Sequence, residues 1–294
     1  MTIARAAGPD GTPTATIRAT HRFALADIRI DGKPAGLAAA AWHLDAADGV
    51  AVTSTDLAAI AALVQRLRNA ATLSLGGDSV VPLDGFAAAM LRVDERQGRL
   101  NGVTALMRRG PAPASAVPRA PPLPVVALHP IAAALRAGEA SRLIARTRSG
   151  ARAMFDKAGC EAHPVSMEAE AFALDAKQAL VLIPCMMGAY QGSSLVFIAP
   201  RGGAPARPLI LATPYRGNDP ERSDYAGMNE LTEPEFDPKD GTLHMSAKGR
   251  GIGDCGMYAS WIWDGLAFRL SDFGLQQACG GVEIDWPTLF RSTH

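Results

Sequence analysis

The stretch from Lys248 to Arg291 constrains this chain more than any other. It opens with Lys248-Gly249-Arg250-Gly251-Ile252-Gly253-Asp254-Cys255-Gly256 and runs on through Trp261-Ile262-Trp263-Asp264-Gly265, Phe268, Cys279 and Trp286-Pro287. Two of the four cysteines and three of the four tryptophans fall here, and glycine recurs at alternate positions from 249 to 253. Glycine inside a strand permits a bulge or a close approach of another backbone. This density of glycine, cysteine and tryptophan describes a small disulfide-tied β unit better than a catalytic motif.

Four cysteines, an even number, fit a disulfide framework in an oxidising compartment. They are Cys160, Cys185, Cys255 and Cys279. Their spacing contains no Cys-x-x-Cys, and no His-x-x-x-His accompanies them, which argues against structural zinc. Of the three connectivities that four cysteines allow, Cys160–Cys185 with Cys255–Cys279 is favoured. Each pair brackets a compact run of about 25 residues, a loop that contributes roughly 3–3.5 kcal/mol in the chain-entropy model. The alternative is four reduced core cysteines, which a cytoplasmic location would require.

With 294 residues, 48% apolar and 20% charged, the chain is not disordered and can bury two cores of ordinary size. Lys plus Arg equals Asp plus Glu, so no net basic field exists to attract nucleic acid or an anionic membrane. The cluster Arg142, Arg146, Arg148 and Arg152 reads as a solvated helix face. No apolar run approaches the ~18–20 residues of a membrane span. Met1 is followed by polar and charged residues rather than an apolar signal region, which by itself points to the cytoplasm.

Residues 1–109 read as an α+β domain. Thr14–Arg18, Phe23–Ile30, Gly49–Thr53 and Thr72–Leu75 have strand character. Ser54 or Thr55 caps a helix whose Leu57, Ile60, Ala61, Val64 and Leu67 share one face. Asp84 caps a second helix reaching about Val93. Residues 110–130 carry seven prolines between Pro111 and Pro130 and read as an extended spacer. Residues 131–294 form a second α+β domain. Helices are expected over 131–135, 140–147 and, capped by Ser166, 166–174. A meander of antiparallel strands then follows, with turns at Asp237–Gly241 and Asp264-Gly265.

Few residues offer chemistry. Cys255 on a Gly-rich turn, with His244 as base and Asp254 orienting it, would make a thiol nucleophile; a half-cystine is the simpler reading, and a bridge at Cys255 removes the nucleophile. Gly249-x-Gly251-x-Gly253 lacks the flanking strand, helix and spacing of a phosphate loop. Asp84 and the pair Asp94-Glu95 read as ordinary surface residues at helix ends, and Glu168 and Glu170 have no metal partner in view. The histidines, His21, His43, His129, His163 and His244 among them, are scattered. Trp261 and Trp263 share one strand face, either core or an exposed aromatic patch. No catalytic residue and no metal is assigned. Arg250, Asp254, Trp261 and Trp263 are the candidate interaction residues.

Three collinear stretches carry a resemblance. Leu83-Asp84-Gly85-Phe86-Ala87-Ala88-Ala89-Met90 leads to Asp94-Glu95-Arg96-Gln97-Gly98-Arg99 and Thr104-Ala105-Leu106. Pro184-Cys185-Met186-Met187-Gly188-Ala189-Tyr190 follows, and then the Lys248–Arg291 block. Together they resemble the bacterial family known as domain of unknown function 1176. The resemblance implies an exported protein, hence a periplasmic or secreted location, overriding the missing signal. Members of that family begin with a secretion signal and a strand pair bearing two further cysteines; the expectation is that this chain starts inside its first domain. The composite expectation is an α+β protein of two mainly antiparallel, helix-packed domains, the second tied by disulfides. Its expected role is to bind an envelope protein or small ligand without a cofactor. An envelope hydrolase or thiol enzyme using Cys255 with His244 is the second reading.

Overall fold

The computed structural model describes residues 1–46, 49–77, 79–160, 167–214, 228–281 and 286–294. The chain divides into two compact units, Met1–Pro122 and Leu123–His294. Among the described residues, all strand pairings in the four sheets are antiparallel, four α-helices accompany them, and both disulfides lie in the second unit, the α+β arrangement expected.

The first unit contains β1 (Thr2–Arg5), β2 (Pro13–Arg18), β3 (Arg29–Ile30), β4 (Lys33–Pro34), β5 (His43–Leu44), β6 (Ala51–Ser54), α1 (Leu57–Leu67), β7 (Thr72–Ser74), β8 (Val80–Pro82) and α2 (Phe86–Arg96). One sheet runs β1-β2-β6-β5 and the other β4-β3-β7-β8. Ile60, Val64 and Leu67 of α1 meet Ile17, Val52 and Leu73 in a common core. Asp56 caps α1, its carboxylate accepting the Ala59 N–H at 2.7 Å, so the cap falls one residue beyond Ser54 and Thr55. Gly85, at φ 74°, occupies the cap of α2 in place of Asp84. Only Arg29–Ile30 of the strand expected over 23–30 forms. Asp27 accepts the Ala24 N–H at 2.7 Å and closes a 3-10 turn, a local bond competing with the sheet.

Asp94 departs most from expectation, because it is wholly buried rather than a surface residue. Its carboxylate accepts the Leu106 N–H at 3.0 Å and the Met107 N–H at 2.7 Å, wrapping the 104–108 loop around the end of α2. Buried Arg99 donates to Thr104 Oγ1 at 3.0 Å and to the Gly8 carbonyl. Arg5 donates to the Thr104 carbonyl at 2.6 Å; burial first, then the neighbouring Arg99 charge, lowers it to about 10. Within the proline-rich stretch, Gly102 bridges Ala112 and Val117 is buried in the first unit. Val125 bridges Thr293 and the Ile131 N–H reaches the Pro238 carbonyl in the second.

The second unit contains α3 (Glu139–Gly150), α4 (Arg152–Ala158), β9 (Glu170–Ala173), β10 (Gln178–Met187), β11 (Gly192–Pro200), β12 (Arg207–Pro208), β13 (Glu230–Thr232), β14 (Glu235–Asp237), β15 (Thr242–Lys248), β16 (Gly256–Trp263), β17 (Phe268–Gln276) and β18 (Thr288–Arg291). One sheet runs β12-β11-β10-β9 with β13 also on β11, and the other β14-β15-β16-β17-β18. Alternate residues of a strand face opposite ways. On β10 and β11, Val181, Ile183 and Phe197 meet Leu143 of α3 and Phe155 of α4. Leu180, Leu182, Val196 and Ile198 meet the second sheet. Helices, sheet and sheet thus stack in three layers, and burial on both faces explains the unbroken apolar run Ala179–Ile183.

Residues 131–135 are not helical, since the Ile131 N–H is drawn to the Pro238 carbonyl. Ser166 lies outside the described residues, and Glu170–Ala173 is strand β9 rather than helix. Asp175 accepts the Lys177 and Gln178 N–H groups at 2.6 and 2.7 Å, turning the chain so that β9 pairs with β10. At the start of α3, Glu139 receives both Arg201 Nε at 2.7 Å and the Arg136 N–H at 2.8 Å. The Arg201 bond, then the Arg136 N–H, hold its carboxyl down to about 2.

Candidate functional site

The link between β15 and β16 is a loop fixed from within. Its ends are closed by the Gly249 N–H, which donates to the Cys255 carbonyl at 2.8 Å, and its tip by the Gly253 N–H to the Arg250 carbonyl at 2.9 Å. Gly253, at φ 70°, adopts the left-handed backbone that glycine tolerates best. Position 249 has no room for a side chain, since a Cβ would lie 2.6 Å from Cys255 Sγ.

Asp254 is the hub of the loop. It is fully buried and takes both ends of the Arg250 guanidinium, Nε at 2.8 Å, together with the Gly281 N–H at 2.6 Å. The Arg250 bond is the main reason its carboxyl is held down to about 2; burial opposes the shift and the Gly281 N–H supports it. The guanidinium rises correspondingly, through the same bond. Forked Arg–carboxylate pairs fix geometry as well as charge. Arg250 nevertheless keeps 49% of its side chain exposed, so one part anchors the loop while the rest faces water.

Beside this hub Cys255 is bonded to Cys279, with the Cα atoms 4.7 Å apart. Trp286 donates its indole N–H to the Gly253 carbonyl at 2.9 Å and stacks with Tyr258, ring centres 6.4 Å apart. The ring lies over Gly256, where a Cβ would come within 2.5 Å of it. From the turn between β10 and β11, Gln191 pairs with the Lys248 backbone through two bonds, accepting its N–H at 3.0 Å and donating to its carbonyl at 2.9 Å. This places Tyr190, at the hairpin tip, beside Gly251. The surface so formed presents Tyr190 at 50% exposure and Ile252 at 55%.

Of the four candidate interaction residues, Arg250 and Asp254 join in this loop. Trp261 and Trp263 do not reach the surface. Both are core, packed with Leu243 and Phe273, and the Trp261 N–H donates to the Ala212 carbonyl at 2.9 Å. Trp261 and Trp263 therefore form no aromatic patch at the surface. Their alternation placed them on one face, but that face turns toward the other sheet. Tyr190 and Ile252 were missed; the signal was their place in a hairpin tip and a Gly-rich loop.

The thiol-enzyme reading also fails. Both cysteine pairs are bridged as the spacing suggested, Cys160 to Cys185 and Cys255 to Cys279, leaving no thiol at Cys255. His244 donates to or accepts from Ser260 at 2.8 Å, four strand positions from Lys248, which is about 13 Å at the rise of a strand. Asp254, Cys255 and Cys279 crowd together like a metal triad, but a disulfide supplies no thiolate and the carboxylate is already engaged. His163 lies outside the described residues.

Fold and loop together define a disulfide-tied α+β protein whose β15–β16 loop is fixed by its own hydrogen bonds. The chain belongs to the family described as protein of unknown function (DUF1176), whose profile matches residues 1–293. It is 33% identical over 272 residues to the uncharacterized protein YpfG of Escherichia coli (strain K12), covering 90% of this chain and 74% of that protein. No solved structure matches it. No helix among the described residues is long and apolar enough to cross a membrane.

Proposed function

We propose that the protein works outside the cytoplasm as a non-enzymatic binding protein of the bacterial cell envelope, and that it docks an envelope protein through Tyr190, Ile252 and Arg250. One observation carries this reading. The loop is braced by the Arg250–Asp254 pair and the Trp286 bond, while Tyr190 beside Gly251, Ile252 and part of the Arg250 guanidinium remain exposed. Such pre-ordered aromatic and Arg groups lose little entropy on binding and are enriched among the residues that dominate interface energies. The two disulfides support an oxidising compartment.

The test places a photo-crosslinking residue at position 252, and separately at exposed Leu266 as a control, in the source bacterium. A discrete protein adduct from position 252, absent from 266 and lost in Tyr190→Ala, is expected. Equal crosslinking from both positions, or none from 252, would refute the docking surface. Thiol alkylation of acid-quenched cells tests the compartment: no reactive thiol before reduction is expected, and four would overturn an extracytoplasmic location.

A further inference from the structure

In the second unit the chain passes from one sheet to the other through Glu233 and Pro234, which join β13 to β14. Glu233 is pinned there: its N–H donates to the Gly192 carbonyl at 2.9 Å and its carboxylate accepts the Gly192 N–H. Glu233 and Glu235 from this crossing, with Glu168 and Glu170 from the start of β9, line one cavity of about 480 Å³. That volume falls within the ~300–1,000 Å³ of small-molecule sites. Among the described residues that line it none is basic, and none of the four glutamates has an ion pair. The crowding has a cost. Burial first, then the charges of Glu168 and Glu235, raise the Glu170 carboxyl above its ordinary value.

A second, independent feature lies at the base of the same cavity. Ser194 of β11 lines it and is only 3% exposed, yet its hydroxyl has no hydrogen bond among the described residues. Buried hydroxyls ordinarily find a partner, because an unpaired one forfeits its bonds to water. Packing does not call for this one. Val196 and Ile198, the next positions on that face of β11, are apolar, and so is Leu231, directly opposite Ser194 on β13. Alanine would fill the place as well. The cavity therefore offers a group of carboxylates without a counter-charge and, beneath them, a hydroxyl without a partner.

A single metal ion does not answer this arrangement. Calcium gathers six to eight oxygens at about 2.3–2.6 Å. Among the described residues no three of these carboxylates bring oxygen atoms within 4.8 Å of one another. Carboxylates spread in this way match a cation whose charges are themselves spaced apart. We propose that the cavity binds a linear aliphatic polyamine, its ammonium groups pairing with Glu168, Glu170 and Glu235 and one N–H donating to Ser194 Oγ. An ammonium group carries only donors and the hydroxyl can accept one of them. A monoamine would answer one carboxylate and leave the others repelling, and a quaternary ammonium has no N–H for the hydroxyl.

The test is calorimetric titration of the intact oxidised chain, at low ionic strength, with spermidine, butylamine, hexamethonium, calcium chloride and trilysine. Spermidine should bind, and each of the others at least tenfold more weakly. Glu170→Gln/Glu235→Gln should weaken spermidine at least tenfold while melting no lower than the parent, since it removes like-charge repulsion. Ser194→Ala should weaken it at least threefold, again without lowering the melting temperature. Asp10→Asn/Asp84→Asn, at exposed positions of the first unit, should leave it unchanged. Absence of spermidine binding, or binding indifferent to the glutamate pair or to Ser194, would overturn the proposal. So would an equal loss in the first-unit variant, which would mean general attraction to carboxylates. Calcium binding as tightly as spermidine would make this a metal site, equal binding of hexamethonium would remove the N–H contact, and tighter binding of trilysine would make the ligand a basic peptide; each would refute the polyamine. None of the lining residues belongs to the Arg250 loop, so failure here leaves the docking reading to its own crosslinking test.

Discussion

Replacing both members of the second bridge, Cys255→Ala/Cys279→Ala, should destabilise the C-terminal unit by about 4 kcal/mol. The bridged residues are 24 apart in sequence. Closing a loop of that length removes about 12 cal/mol/K of entropy from the unfolded chain, or ~3.5 kcal/mol at 25 °C. Cys255 is buried and Cys279 exposed, so truncating the side chains adds about 0.5–1 kcal/mol of lost packing, all at position 255. With a urea slope of about 2.5 kcal/mol/M, the unfolding midpoint falls by ~1.6 M. Tryptophan fluorescence in a Trp42→Phe background reads this unit, since Trp261, Trp263 and Trp286 all lie in it. Hydrogen exchange at Gly249, whose N–H closes the loop, reports locally and should quicken more than at Ala259 in the core of β16. A midpoint within ~0.3 M of the parent would refute the reasoning. The Asp254 hub and the Trp286 bond would then hold the loop without the covalent link, and the bridge would not constrain the unfolded chain.

Three further outcomes are expected. Asp94→Ala leaves the buried Leu106 and Met107 N–H groups without acceptors and should cost about 4 kcal/mol, at ~2 per orphaned donor; urea unfolding read from Trp42 checks it, and a loss under ~1 kcal/mol would mean the loop re-pairs. Asp254 and Glu139 titrate at about 2 in the folded protein, below their unfolded values near 4, so their contribution is present above pH ~4.5 and fades as pH falls toward 2. Melting temperature should therefore drop less steeply over that window in Asp254→Asn/Glu139→Gln than in the parent, and identical slopes would contradict the pairing. Gly256→Ala puts a Cβ 2.2 Å from the Ala247 carbonyl oxygen and against the Trp286 ring, so Trp286 should swing out, with red-shifted emission and a loss of about 2 kcal/mol. Unshifted emission would show that the ring does not need the bare backbone.

What could be read from the sequence was what depends on neighbours along the chain. The Asp264-Gly265 turn, the helical face of α1 and the apolar run of β10 are local patterns, and each formed where expected. The cysteine pairing was legible because partners close in sequence are also close in space, Cys255 and Cys279 across the β16–β17 hairpin and Cys160 at the end of α4 beside β10. Asp94 was not, since its burial is imposed by a loop twelve residues later that folds over it. Glu170–Ala173 carries helix-favouring residues but sits next to β10, and ladder bonding outweighs that preference. The inward direction of Trp261 and Trp263 was also out of reach, because a period of two says that they share a face and not which side the second sheet lies on. At the candidate site, the Arg250–Asp254 pairing follows helix-like spacing in a loop, so it was guessable only as proximity. Tyr190 comes from sixty residues earlier through Gln191.

The residues that carry the family resemblance sort by what the fold asks of them. Asp94 and Arg99 organise the first unit from inside, Cys185 and Cys255 are buried half-cystines, Asp254 holds the loop, and Trp261 and Trp263 are core. Gly256 makes way for a ring. Packing accounts for each of these whatever the protein does. Tyr190 differs: it sits at a turn, half exposed, with no hydrogen bond at its hydroxyl among the described residues, and Gly251 beside it leaves ample space for a side chain. A turn residue of that size is unfavourable to expose and is not needed to close the hairpin, whose Gly188 N–H already bonds the Gln191 carbonyl at 2.9 Å. Tyr190→Ala should therefore leave stability within ~0.5 kcal/mol of the parent, as ordinary surface substitutions do. If it also removes the adduct at position 252, the ring serves recognition; if instead the protein loses 2 kcal/mol or more, Tyr190 is one more packing residue and the docking surface has lost its anchor.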